Sequence, residues 1–150
     1  MEAFEQLCRV ALESENFVVT GNVKVFVQRP TRKVKYEEAQ EHGYDLDLVG
    51  ARGDRLVVAE VKSYLGSRGV SRQFFEGIAD ETKRTVYNRC RLFNDEELRQ
   101  EVVARVAERY GYATSRVEMR MYVGRFASGH EQDIRNHLRR LPSPAVAVVV

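Results

Sequence analysis

One hundred and fifty residues, 43% of them hydrophobic and 31% charged, describe one soluble globular domain with chain enough for a real core. A net charge of only +2 excludes a polycation that holds nucleic acid by bulk charge, so any such surface must come from local clustering. Two distant cysteines, Cys8 and Cys90, exclude a four-thiolate cluster or structural zinc site built from this chain alone, and no apolar run approaches the ~20 residues that span a bilayer.

Cysteine usage and the lack of a signal peptide point to a reducing cytoplasm. No repeat, linker or low-complexity segment divides residues 1–150, which read as a single domain. Glu2 to about Glu13 carries Phe4, Leu7, Cys8 and Ala11 at helical spacing, with Asn16 ending the helix. Phe17 to Gln28 alternates as a strand from Val23 onward, and Gly21-Asn22 could break it into a hairpin. The polar stretch from Arg29 to Gly43 reads mostly as loop.

Tyr44 to Ser63 carries the strongest signal. Two strand-like runs flank Gly53-Asp54, a composition that favours a two-residue hairpin turn. That register pairs Arg52 with Arg55, sets Asp47 opposite Glu60 and sets Asp45 opposite Lys62. Residues two apart share a strand face, so Glu60 and Lys62 point the same way. Opposed carboxylates ~4.5–5.5 Å apart at Cβ repel. A hard divalent cation between them resolves the conflict, since such ions take oxygen ligands from one or two carboxylates plus water.

Leu65 to Ser71 holds Gly66 and Gly69 and reads as a mobile connection. A helix starts near Ser71 and covers Gln73 to Ile78. Asn94 with Glu97 forms a capping pair for a helix bearing Leu98, Val102, Val106 and Tyr110 and ending at Gly111. Val117, Met119, Met121 and Val123 alternate with Arg116, Glu118, Arg120 and Tyr122, a strand with one buried and one charged face. Ser128 with Glu131 resembles another capping box. Ile134, His137, Leu138 and Leu141 line that helix, and Pro142 stops it. Ala145 to Val150 is continuously apolar, as in a strand buried on both faces. Strand, helix, strand in that order implies a parallel crossover.

Asp47-Leu48-Val49, a glycine-containing turn, then Glu60-Val61-Lys62 resembles the core of the PD-(D/E)xK nucleases, the restriction-endonuclease-like superfamily. The order read above, roughly αβββαβαβ with an extra helix after the hairpin, is the one its α/β core requires: a central mixed sheet flanked by helices. The nominal proline is absent, Leu46 preceding Asp47. The resemblance implies a Mg²⁺- or Mn²⁺-dependent hydrolase of DNA phosphodiester bonds, an endonuclease that could resolve branched DNA, with a homodimer as the fold's common habit. It makes Asp47, Glu60 and the Val61 carbonyl metal ligands. Lys62 would orient or deprotonate the attacking water and stabilise the pentavalent phosphate.

Asp45 would hold the Lys62 amine in support. Many members place a glutamate on the first helix, where Glu5 stands here. Gln73 lies where exonuclease-like members carry a helix glutamine, but Gly77 replaces the tyrosine that follows it there. Gln73, Arg72 and Arg68 are the DNA contacts implied near the site. His137, Phe74 and Phe75 read as core. Two alternatives stand beside this reading. One is a non-catalytic descendant of the fold that binds nucleic acid or protein; the other is an unrelated α/β domain with a chance D…E-x-K. An Asp45-x-Asp47 pair is similar to the metal site of nucleotide-sugar transferases, but this chain is short for one and E-V-K would go unexplained.

Overall fold

The computed structural model describes residues 2–30, 39–75, 89–142 and 146–149. Helix α1 (Ala3–Ser14) leads into strands β1 (Val18–Pro30), β2 (Ala39–Arg52) and β3 (Arg55–Lys62). A 3₁₀ turn at Arg72–Phe75, the single turn α2 (Arg91–Asn94) and helix α3 (Glu96–Tyr110) follow, then β4 (Val117–Val123), α4 (Glu131–Arg139) and β5 (Val146–Val149). The protein is an α/β domain whose five-stranded mixed sheet has the order β1-β2-β3-β4-β5. The first three strands pair antiparallel, and β3, β4 and β5 pair parallel. Among the described residues no helix is long and apolar enough to cross a membrane.

Two apolar clusters lie on opposite faces of this sheet. One gathers Leu98, Val102 and Val106 of α3, Ile134 and Leu138 of α4, and Leu56, Val58, Met119 and Met121 of the central strands. The other joins Cys8 and Leu12 of α1 to Phe17, Val19, Leu48, Val57 and Ala59. Burial of α1 centres on Cys8 and Leu12, while Leu7, expected in its apolar stripe, is 66% exposed.

The β1–β2 ribbon changes face midway. Val19 and Leu48 belong to the α1 face, yet Val23 and Leu46, one pair further along, belong to the α3–α4 face. Strict alternation would keep Val19 and Val23 together. The switch falls at Asn22, whose φ is +53°, and at Asp47, the position opposite it in the register. Asn tolerates this left-handed conformation better than other non-glycine residues. Gly21-Asn22 is therefore a twist within one continuous strand, not the hairpin its composition suggested.

Other boundaries also differ from the sequence reading. β2 begins at Ala39, so residues 39–43 are strand where loop was expected. The N-cap of α3 is Asp95, not Asn94, and its side chain accepts from the Leu98 amide at 3.0 Å. His130, not Ser128, stands at the N-cap of α4, with no side-chain capping bond. Past Arg72–Phe75 the expected continuation of helix to Ile78 lies outside the described residues. The segment at Gly69–Val70 is pinned: Val70 donates to Arg125 O at 2.8 Å and accepts from the Ala127 amide at 2.9 Å. The second face of β4 is charged but covered, because α1 and Phe17 close over Arg120 and Tyr122.

Asn22→Val places a β-branched residue at φ +53° and should cost about 1–2 kcal/mol, whereas Asn22→Gly should stay within about 0.5 kcal/mol of the parent. Urea unfolding midpoints at constant slope check both.

Candidate active site

The β2–β3 ladder runs from Arg52↔Arg55 to Leu48↔Ala59, the register expected from the Gly53-Asp54 turn. Asp47 and Glu60, next in that register, do not pair, and there β2 leaves β3. The Asp47 carboxylate takes over from the ladder: its Oδ2 accepts from the Val61 backbone amide at 2.7 Å. That bond ties the carboxylate to the strand that carries Glu60 and Lys62.

Glu60 is buried, and the Lys62 Nζ donates to its Oε2 at 3.5 Å. Its other oxygen, Oε1, is buried with no hydrogen-bond partner among the described residues. Burial pushes the Glu60 carboxyl up to about 7, Lys62 opposes the shift and Asp47 adds to it. Burial works against the Lys62 charge, but Glu60, Cys90 and Asp47 outweigh it and hold the amine above its ordinary range. Lys62 therefore stays an ammonium.

Glu5 reaches this centre from α1. Its Oε1 is also buried and unpartnered, and burial and Asp47 both raise its carboxyl. Ser63 Oγ donates to Glu2 Oε1 at 3.1 Å, fastening the start of α1 beside the residue after Lys62. Among the described residues, no three His, Cys, Asp or Glu side chains converge as a preformed metal cage. The donors present still suit a hard divalent ion, which uses one or two carboxylates, a backbone carbonyl and several waters. The orphaned Glu60 Oε1 beside Asp47 is an oxygen that such an ion would satisfy.

Asp45 does not reach Lys62. It is exposed, lies beyond the end of the β2–β3 ladder and pairs with Lys24 Nζ at 3.7 Å. Arg68 and Gln73 are exposed and Arg72 pairs with Asp133 at 2.9 Å; none has a contact with Asp47, Glu60 or Lys62 among the described residues. Phe74 and Phe75 are core, as expected, and His137 is half-buried against Phe75.

Two neighbours of the centre carried no sequence signal. Burial raises the Tyr44 hydroxyl strongly, with Glu60 and Asp47 adding, while a backbone hydrogen bond at Leu92 opposes. Burial pushes the Cys90 thiol up to about 12, with Lys62 acting against and Glu60 adding to the shift. Tyr44 packs against the same cluster as Leu46 and belongs to no motif, and Cys90 stands just before α2. Only the fold brings them together. A groove of about 310 Å³ borders the end of β3, lined by Glu2, Ser63, Tyr64, Leu65, Gly66 and Ser67.

Comparison with protein-family models, with curated protein sequences and with solved structures returned no match.

A carboxyl raised in the fold favours its neutral form, so the stability it contributes is present below its ordinary 4.5 and lost as pH climbs through about 7. Metal-free protein should thus lose stability between those values. Glu60→Gln should remove that slope and stabilise the metal-free chain near pH 8 by up to about 3 kcal/mol, with no gain near pH 4. Chemical denaturation across the pH range in EDTA measures it.

Proposed function

We propose that the protein is a divalent-metal-dependent nuclease of the restriction-endonuclease-like fold, hydrolysing DNA phosphodiester bonds at Asp47, Glu60 and Lys62. The observation that carries the reading is the buried, unpartnered Glu60 oxygen at the fork, with Asp47 beside it and the Lys62 ammonium at 3.5 Å. A folded domain gains nothing in stability from such an arrangement, since a buried acceptor left unmade costs roughly 1–3 kcal/mol. The order of elements supports the same reading: one helix, three antiparallel strands, then two parallel strands each reached through a helix.

Asp47 and Glu60 would hold Mg²⁺ or Mn²⁺, with the Val61 carbonyl as a third protein ligand. Such an ion supplies a water of lowered pKa and neutralises phosphate charge. Lys62, kept protonated by the two carboxylates, orients the attacking water and donates to the phosphate oxygens as negative charge grows on them. Glu5, whose Oε1 has no partner among the described residues, would accept from a water on the side of Asp47.

Labelled linear, supercoiled and four-way-branched DNA, incubated with Mg²⁺ or Mn²⁺, tests the assignment. Cleavage should vanish in EDTA and fall at least about 100-fold in Lys62→Ala and in Asp47→Asn. Mg²⁺ should raise the melting temperature of the parent near pH 8 and leave that of Glu60→Gln unmoved, since the amide cannot supply an anionic ligand. Activity that survives both Lys62→Ala and Asp47→Asn would sink the proposal.

A further inference from the structure

A cavity of about 280 Å³ lies between the 3₁₀ turn and α4. Arg72, Asp133, Asn136, His137 and Arg140 supply its polar lining, and Phe75 supplies an apolar wall. None of these belongs to the centre at Asp47, Glu60 and Lys62.

The charges here do not cancel. Arg72 Nη1 donates to Asp133 Oδ2 at 2.9 Å, which neutralises one cation and fixes its guanidinium, leaving other N–H groups free to donate. Arg140, exposed at the C-cap of α4, has no side-chain partner among the described residues. Arg99 is fully buried, makes one bond to Phe93 O at 3.0 Å and leaves its Nε unpartnered. Between them sits His137, its ring 5.5 Å from that of Phe75. Burial, then Arg140 and Arg99, hold its imidazole below the ordinary range, and Asp133, the carboxylate in the same lining, is already paired with Arg72.

We infer that this cavity is a phosphate-binding site that takes a phosphomonoester of about mononucleotide size, held by Arg140, Arg72 and His137 with its sugar against Phe75. Arginine forks match phosphate oxygens in geometry as well as charge. A cavity of about 280 Å³ is at the small end of ligand pockets and admits a nucleotide, not a longer chain. A dianion would compensate Arg140 and allow His137 to take up a proton as a further donor. Two sources share this chemistry, a free nucleotide and the phosphorylated end of a nucleic-acid strand. The site goes beyond the nuclease reading and does not rest on it.

The test is a histidine-ring NMR titration of the full chain in EDTA, where no metal-dependent cleavage occurs. Probes are inorganic phosphate, thymidine 5′-monophosphate, and a short oligonucleotide with either a 5′-phosphate or a 5′-hydroxyl. His137→Gln assigns the resonance, and exposed His42 serves as the internal reference. Each phosphomonoester should raise the His137 midpoint by about one unit, as an opposite charge within hydrogen-bonding reach does. Arg140→Gln, an exposed substitution that leaves the core alone, should weaken binding at least about fivefold. Tighter binding of the 5′-phosphorylated strand than of the mononucleotide assigns the site to strand ends; equal binding assigns it to free nucleotides. An unmoved His137 with every probe, or an equal response in Arg140→Gln, overturns the inference. Because no cleavage is read, the result is independent of whether Lys62 acts in hydrolysis.

Discussion

The hydrogen bond from the Val61 amide to Asp47 Oδ2, at 2.7 Å, is the contact on which the candidate centre depends. An antiparallel ladder that simply stopped at Leu48↔Ala59 would leave strand amides of β3 without acceptors beside the core. Asp47 closes that gap with a side chain, and the bond fixes its carboxylate against the next residue after Glu60. The same fork frees the backbone of β2 to turn away. Where the strands diverge, the groups brought together are the Asp47 and Glu60 carboxylates and the Lys62 ammonium.

The divergence needs a matching change in β1, and Asn22 provides it. Its positive φ rotates the rest of the ribbon so that Val23, Val25 and Val27 face α3 instead of α1. Two separate clusters can then be filled by one pair of strands. Helix α1 closes the smaller cluster and is held at both ends. Glu2 accepts from Ser63 near its start, and Glu15, just past its end, grips Arg120 at 2.8 and 3.0 Å. Glu5 lies between these two anchors, which explains how a half-buried helix side chain comes to hold one carboxyl oxygen out of solvent on the Asp47 side.

Much of this was legible in the chain. The Gly53-Asp54 turn sets the hairpin register, and register with strand alternation puts Glu60 and Lys62 on one face and Asp47 opposite Glu60. The parallel end was readable from two apolar strands separated by an amphipathic helix. Asp45 misled because the register argument assumes a ladder that continues, and nothing local announces where two strands part. Gly21-Asn22 misled for a related reason: the residues that permit a hairpin turn also permit a twist within a strand. Asp95 against Asn94 is a choice between two good capping residues one position apart, which helix packing decides. Tyr44 and Cys90 were invisible, since their part in the centre comes from tertiary placement alone.

Buried charge by itself does not mark a site, and three such groups in this protein show why. Arg120 is buried yet bonded to Glu15, Glu118 and Tyr122, and although burial opposes its charge these bonds hold it more firmly protonated than usual. It is a structural cation whose needs the fold meets completely. Arg99 keeps a single bond to Phe93 O and an unpartnered Nε, and its charge is felt at His137. Glu60 is the extreme case: among the described residues its partner is an ammonium at 3.5 Å, one oxygen has none, and a second carboxylate raises it further. The sheet around it packs Leu56, Val57, Val58 and Ala59 without exposure, so loose folding does not explain the deficit. Local rules broken inside an otherwise consistent fold are expected where function demands them. What the fold leaves unmet at Glu60 is a partner for one carboxylate oxygen, and the proposed divalent ion is one species that would supply it.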